Sequence, residues 1–88
     1  MTFRILIHRE AAKVLKDLDN KTRKRIKENL NVLEENPYHR RPGADIRKLT
    51  GTDPVLYRLR VGNYRVVYAV EGDIVWITEI FHRSKEYF

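Results

Sequence analysis

The chain has 88 residues, with 18 Lys or Arg against 12 Asp or Glu, giving a formal charge of +6, and it contains no cysteine. That length predicts one small domain over residues 1–88 whose thin core hides only about 60–65% of the unfolded surface, and the missing cysteine excludes disulfides, thiolate ligands and thiol nucleophiles. A 42% hydrophobic share with five Tyr, three Phe and one Trp argues against disorder. No apolar run is long enough to span a membrane and no signal-peptide core follows Met1, so a cytoplasmic protein with no membrane association is expected.

In chain order, Phe3–Ile7 is short, apolar and rich in β-formers, which predicts a strand buried mainly on one side. Ala11, Val14, Leu15 and Leu18 then recur at helical spacing. Asp19-Asn20 supplies a break and a cap before a second helix, whose apolar residues Ile26, Leu30 and Leu33 follow at i, i+4 and i+7. Asn36-Pro37 stops that helix. The two helices are expected to form a hairpin that lays its apolar stripe on a sheet. After a basic loop from Tyr38 to Gly43, Ile46–Leu49 reads as a short extended piece. Val55–Val61 and Tyr64–Val70, joined by Gly62-Asn63, give a strong hairpin signal. Glu71-Gly72-Asp73 turns the chain into a last strand, Ile74–Phe81. Strand, two helices and a three-stranded antiparallel meander, followed by a short C-terminal tail, is an α+β pattern.

The positive charge is concentrated. Lys21, Arg23, Lys24, Arg25 and Lys27 stand together on the second helix with no acid among them. From His39 to Arg65 the chain carries Arg40, Arg41, Arg47, Lys48, Arg58, Arg60 and Arg65 against Asp45 and Asp53. Arginine dominates this second group, and its planar fork suits bidentate phosphate contacts.

Strand alternation gives these residues faces. Val55, Tyr57, Leu59 and Val61, continued by Tyr64, Val66, Tyr68 and Val70, form the row expected to meet the helices. Arg58, Arg60 and Arg65 fall on the opposite face with Val67 and Ala69. A two-residue Gly62-Asn63 turn sets Arg60 directly opposite Arg65, and like charges so placed destabilise a hairpin by on the order of 0.2–1 kcal/mol. An anion meant to sit between them would explain the pattern better than generic solubility. Continued alternation through the last strand puts Ile74, Trp76, Thr78, Ile80 and His82 on this same face. His82, Arg83 and Tyr87 then bring an imidazole, a guanidinium and a phenol to the sheet edge. Self-cleavage of RNA by a 2′-hydroxyl needs a base, an acid and cations for the charge growing on phosphorus oxygens, and this set holds candidates for each.

The order of elements, Lys48-Leu49-Thr50-Gly51, the segment Tyr57–Tyr68 and His82-Arg83 with Tyr87 make the chain resemble the RelE-type toxins of the RelE/ParE superfamily. The resemblance covers essentially the whole chain. It implies a toxin of a type II toxin–antitoxin pair, blocked by a RelB-like antitoxin, that enters the ribosome and cuts mRNA in the A site by the 2′-hydroxyl route without metal or cofactor. Arg65 matches the family arginine at the scissile phosphate, Arg83 the one that protonates or stabilises the leaving group, and Tyr87 the C-terminal tyrosine that orients the nucleotide. Arg58 and Arg60 stand where the family uses lysines near the 2′-hydroxyl. A guanidinium with a pKa above about 12 is a poor base, so that task falls to His82 or Tyr87. Lys21, Arg23, Lys24, Arg25, Lys27, Arg40, Arg41 and Lys48 are implied to hold ribosomal RNA. Two other readings stay open on the same fold: a ParE-like toxin that inhibits DNA gyrase without catalysis, and an inactive antitoxin-binding module.

Overall fold

The computed structural model describes residues 2–85. Strand β1 (Arg4–Ile7) leads into helices α1 (Arg9–Asp17) and α2 (Asn20–Glu35). Strands β2 (Asp45–Lys48), β3 (Tyr57–Val61), β4 (Tyr64–Glu71) and β5 (Ile74–His82) follow, and a single 3₁₀ turn, Arg83–Lys85, succeeds β5. Among the described residues, no helix is long and apolar enough to cross a membrane.

Local chemistry accounts for the helix boundaries. His8 caps α1, its Nδ1 accepting the Glu10 amide at 3.3 Å. Asp19 caps α2 by accepting the Thr22 amide at 3.0 Å. The Thr22 side chain and amide hold this exposed carboxyl below its usual value, because both bonds favour the charged form. At the far end, the Asn36 side-chain oxygen accepts the Tyr38 and His39 amides and turns the chain at Pro37. Ile26 and Leu33 are completely buried and Leu30 nearly so, as the helical spacing predicts.

The sheet has five strands in the order β1-β5-β4-β3-β2, with β1 parallel to β5 and every other pair antiparallel. The expected three-stranded meander is therefore extended on both sides. The short piece anticipated at Ile46–Leu49 is the edge strand β2. Its four residues are too few to show a clear alternation, but Ile46 anchors it in the core at 4% exposure. Val55 is not in β3 at all; the strand starts at Tyr57, and Val55 is 46% exposed.

Both helices cover one face of the sheet, α1 over β5 and α2 over β1 and β3. Between the layers, Leu59, Val61, Val66 and Tyr68 from the hairpin meet Val75, Ile77 and Ile80 from β5. A ladder of rings from Phe3 through Tyr38 and Tyr57 to Tyr68, with centroids 5.6–5.9 Å apart, closes the end of the core remote from the β3–β4 turn. Tyr68 is fully buried and donates its hydroxyl to the Pro37 carbonyl at 2.7 Å. Burial raises its phenol pKa far above the ordinary value, with the neighbouring Tyr57 adding to the shift and Arg41 opposing it.

One irregularity matters for function. Val67 pairs with Glu79 but Tyr68 pairs with Ile77, leaving Thr78 as an extra residue in β5. Its Oγ1 donates to the Val67 carbonyl at 3.2 Å. Because side chains alternate with period two, one inserted residue reverses the faces of everything beyond it. Ile80 and His82, expected on the arginine face, therefore lie on the helix side, while Glu79 and Phe81 lie on the arginine face.

Candidate functional site

The face of the sheet away from the helices is organised in cross-strand rows. One row runs Asp45, Arg60, Arg65, Phe81 and the next runs Arg47, Arg58, Val67, Glu79. Arg60 stands directly opposite Arg65 and Val61 opposite Tyr64, the register the two-residue turn predicts. Arg58 lies one row behind. The face is not free of carboxylates, as the hairpin and tail alone implied: Asp45 lies 3.8 Å from the Arg60 guanidinium and 3.5 Å from that of Arg40, and Glu79 shares the second row. Four arginines against two carboxylates still leave a positive surface.

The arginines differ in setting. Arg60 is exposed, whereas Arg58 and Arg65 are only 9% and 5% exposed. Arg65 folds back over its own turn and donates from Nη1 to the Gly62 and Tyr64 carbonyls at 3.0 and 2.9 Å. Arg58 lines a hollow of about 200 Å³ with Arg47, Lys48, Leu49 and Thr50. A second hollow, of about 500 Å³, brings Arg40, Arg41, Asp45 and Arg60 together beside Asn29.

The Gly62-Asn63 turn is the hub of the site. Gly62 has φ +57° and Asn63 has no positive φ, consistent with a hairpin turn that needs glycine at its first central position. A side chain at Gly62 would also meet Arg25, whose Nη1 would lie 2.9 Å from an added Cβ. Arg25 thus rests against the turn from α2, Arg65 holds one of its carbonyls, and the Arg83 amide donates to the Asn63 carbonyl at 2.7 Å. That last bond carries Arg83, with an exposed side chain, to the same end of the sheet as Arg60 and Arg65.

His82 is half-buried on the helix side, its ring edge-on to Tyr64 with centroids 5.4 Å apart. The Ser84 amide donates to its Nδ1 at 3.2 Å, and Ser84 Oγ lies 2.9 Å from the same nitrogen. Tyr87 lies outside the described residues.

The cations expected to hold RNA divide into two groups. Arg41 is a structural residue: its guanidinium donates to the Val32, Asn36 and His39 carbonyls at 2.9, 3.0 and 2.7 Å, capping the C-terminus of α2. Arg23 is engaged at the link between the helices, donating to the Leu18 carbonyl and to Asn20 Oδ1. Arg40 is paired with Asp45, and Arg25 leans on the turn. Lys21, Lys24 and Lys27 are exposed, and Lys24 and Lys27 line a surface groove with Arg23, Asn20, Glu28 and Asn31. Lys48 pairs with Tyr57, so it belongs to the helix-side row, and its neighbour Arg47 occupies the arginine face instead. Arg47, Asp45, Glu79 and Phe81 are the members of this face that simple alternation does not place there. The pairing of β2 with β3 brings in the first two, whereas Glu79 and Phe81 reach this face through the bulge.

Comparison with known proteins gives a consistent picture. The family described as ParE toxin of type II toxin-antitoxin system, parDE, matches residues 5–87. A Methanocaldococcus jannaschii protein named "Putative toxin RelE1" is 39% identical over 99% of this chain and 97% of its own length. The archaeal RelE–RelB complex from Pyrococcus horikoshii OT3 contains a chain 35% identical to this one, with a TM-score of 0.81 over 98% of this chain and all of that one. A chain of the RelB–RelE antitoxin–toxin complex from Methanococcus jannaschii is 32% identical, with a TM-score of 0.74 over 94% of this chain and 98% of its own.

Proposed function

The chain belongs to the RelE/ParE family of type II toxin–antitoxin toxins, and from that premise we propose that it is a ribosome-dependent endoribonuclease acting on mRNA in the cytoplasm. The observation that carries this reading is the guanidinium cluster at one end of the sheet: Arg60 faces Arg65 across the hairpin, and Arg83 is tied by its amide to the turn that joins them. Such a cluster suits a reaction in which negative charge grows on phosphorus oxygens.

In the reaction we infer, the 2′-hydroxyl of one nucleotide attacks the adjacent phosphorus. A bond from phosphorus to O2′ forms and the bond to O5′ breaks; the 2′-hydroxyl proton passes to a base and the departing 5′-oxygen takes one up from water, leaving a 2′,3′-cyclic phosphate and a 5′-hydroxyl. Arg65, fixed by two backbone carbonyls, is preorganised to take up charge on the non-bridging oxygens. Arg60 and, one row back, Arg58 add to that field. Arg83 is assigned to the leaving oxygen, where its charge stabilises the departing alkoxide. Lys21, Lys24 and Lys27 are assigned to the ribosomal RNA backbone, with salt-sensitive binding of the kind counterion release produces. A RelB-like antitoxin is the proposed protein partner, since two archaeal chains similar to this one were solved in complexes with RelB.

The family description names ParE, which keeps one rival in play: the ParE-like inhibitor of DNA gyrase that the resemblance also implies. Induced expression followed by mapping of mRNA 5′ ends separates the two. Cuts within translated messages are expected. A DNA-damage response with intact mRNA would establish the gyrase reading, and harmless expression would establish an inactive binding module. Arg83→Ala is the cleaner site variant, because its side chain is exposed, whereas Arg65→Ala also removes two bonds to the hairpin turn. Loss of the cuts in Arg83→Ala with antitoxin binding retained is the expected result; full cleavage would remove Arg83 from the mechanism.

A further inference from the structure

We propose that His82 is a positioning residue whose Nδ1 caps the turn carrying Arg83 and so holds that guanidinium at the arginine end of the sheet. Three observations converge. The bulge at Thr78 puts His82 on the helix side, away from the row of Arg60 and Arg65. Both donors of Ser84, its amide at 3.2 Å and its hydroxyl at 2.9 Å, converge on His82 Nδ1, closing the turn at Arg83–Lys85. The imidazole is itself steadied by Tyr64 of β4, and the residue between His82 and Ser84 is the one whose amide grips Asn63.

The tautomer follows from the bonding. A backbone amide can only donate, so Nδ1 must present its lone pair and the neutral ring carries its proton on Nε2. In that state the ring has no free lone pair to take a proton from a 2′-hydroxyl. The base is then sought elsewhere, and Tyr87 is the remaining candidate from the sequence. The inference rests on the ribonuclease reading for what Arg83 does, but not for how His82 holds it.

The experiment uses the full chain and three substitutions. His82→Asn places an acceptor oxygen close to the Nδ1 position, His82→Gln carries its amide further out, and His82→Ala removes the acceptor. Nitrogen NMR of the wild-type imidazole in its neutral form should show a bare Nδ1 and a protonated Nε2. Amide hydrogen exchange at Ser84 should accelerate on the order of tenfold in His82→Ala and His82→Gln and stay within about twofold of wild type in His82→Asn. mRNA cleavage should follow the same order, with His82→Asn largely active. Unchanged Ser84 exchange in His82→Ala, or a protonated Nδ1, would overturn the clamp. So would a His82→Asn variant that protects Ser84 yet cleaves no better than His82→Ala, because that pattern belongs to a proton-transfer group. If the wild-type chain cuts no mRNA, the proposed function fails, while the NMR and exchange results still decide the role of His82.

Discussion

Arg41→Ala separates a structural arginine from an RNA-binding one. The guanidinium donates three bonds to carbonyls near the end of α2, two of them partly buried, to Val32 and Asn36, and one exposed, to His39. Hydrogen bonds from a charged donor contribute about 1.5–3 kcal/mol each when well shielded, and partial exposure reduces the two partly buried ones to roughly 1 kcal/mol apiece. The exposed bond adds little, so the expected loss is about 2 kcal/mol. A domain of this length holds only about 4–13 kcal/mol in all, at roughly 0.05–0.15 kcal/mol per residue. At about 4–8 °C per kcal/mol for such a domain, the thermal midpoint should fall by about 8–16 °C. Arg40→Ala is the control: its contact with Asp45 is largely solvent-exposed, so it should lose less than about 1 kcal/mol. Thermal and urea unfolding of both variants against wild type is the assay. An Arg41→Ala midpoint within about 2 °C of wild type would refute the capping argument and return Arg41 to the RNA-binding group.

Gly62→Ala forces a side chain into a positive-φ position and displaces Arg25, so a loss of about 1–2 kcal/mol is expected in urea unfolding, with Gly62→Asn milder. Tyr68→Phe leaves the Pro37 carbonyl without its buried donor and should cost about 1–3 kcal/mol. Because burial raises the Tyr68 pKa, its contribution to stability is complete below about pH 10, where the unfolded phenol begins to ionise, and is lost as pH rises toward the higher folded value. Ultraviolet titration should accordingly show this phenol ionising only with unfolding. For Asp19 the sign is opposite. Its lowered pKa gives stability that is present above the unfolded value near 3.8 and lost as pH falls through the folded one. Asp19→Asn keeps a capping oxygen and should flatten that acid limb in a pH series of unfolding midpoints.

Much of the fold is legible in the residues because its signals are local. Ile26, Leu30 and Leu33 mark the buried stripe of α2, and Gly62-Asn63 fixes the register that sets Arg60 against Arg65. The edge strand β2 was harder to read, since it carries one core residue in four. The register of the arginine face is legible where it depends on the hairpin, whereas the faces of Ile80 and His82 depend on β5 and come out reversed. Nothing in Ile74–His82 announces that Thr78 is an extra residue, so counting alternate positions put His82 on the wrong face.

The sequence by itself determined the α+β pattern and the concentration of arginine on one hairpin, because periodicity, turn chemistry and composition are properties of neighbouring residues. Only the tertiary structure decided which cations face solvent and which hold the fold. Arg41 and Arg40 are adjacent and identical in chemistry, yet one caps α2 and the other meets Asp45 at the surface. That difference depends on where the end of a helix lies relative to the start of a strand. The same holds for His82: its face follows from an unpaired residue four positions earlier, and its bonding follows from the turn that packs against Asn63.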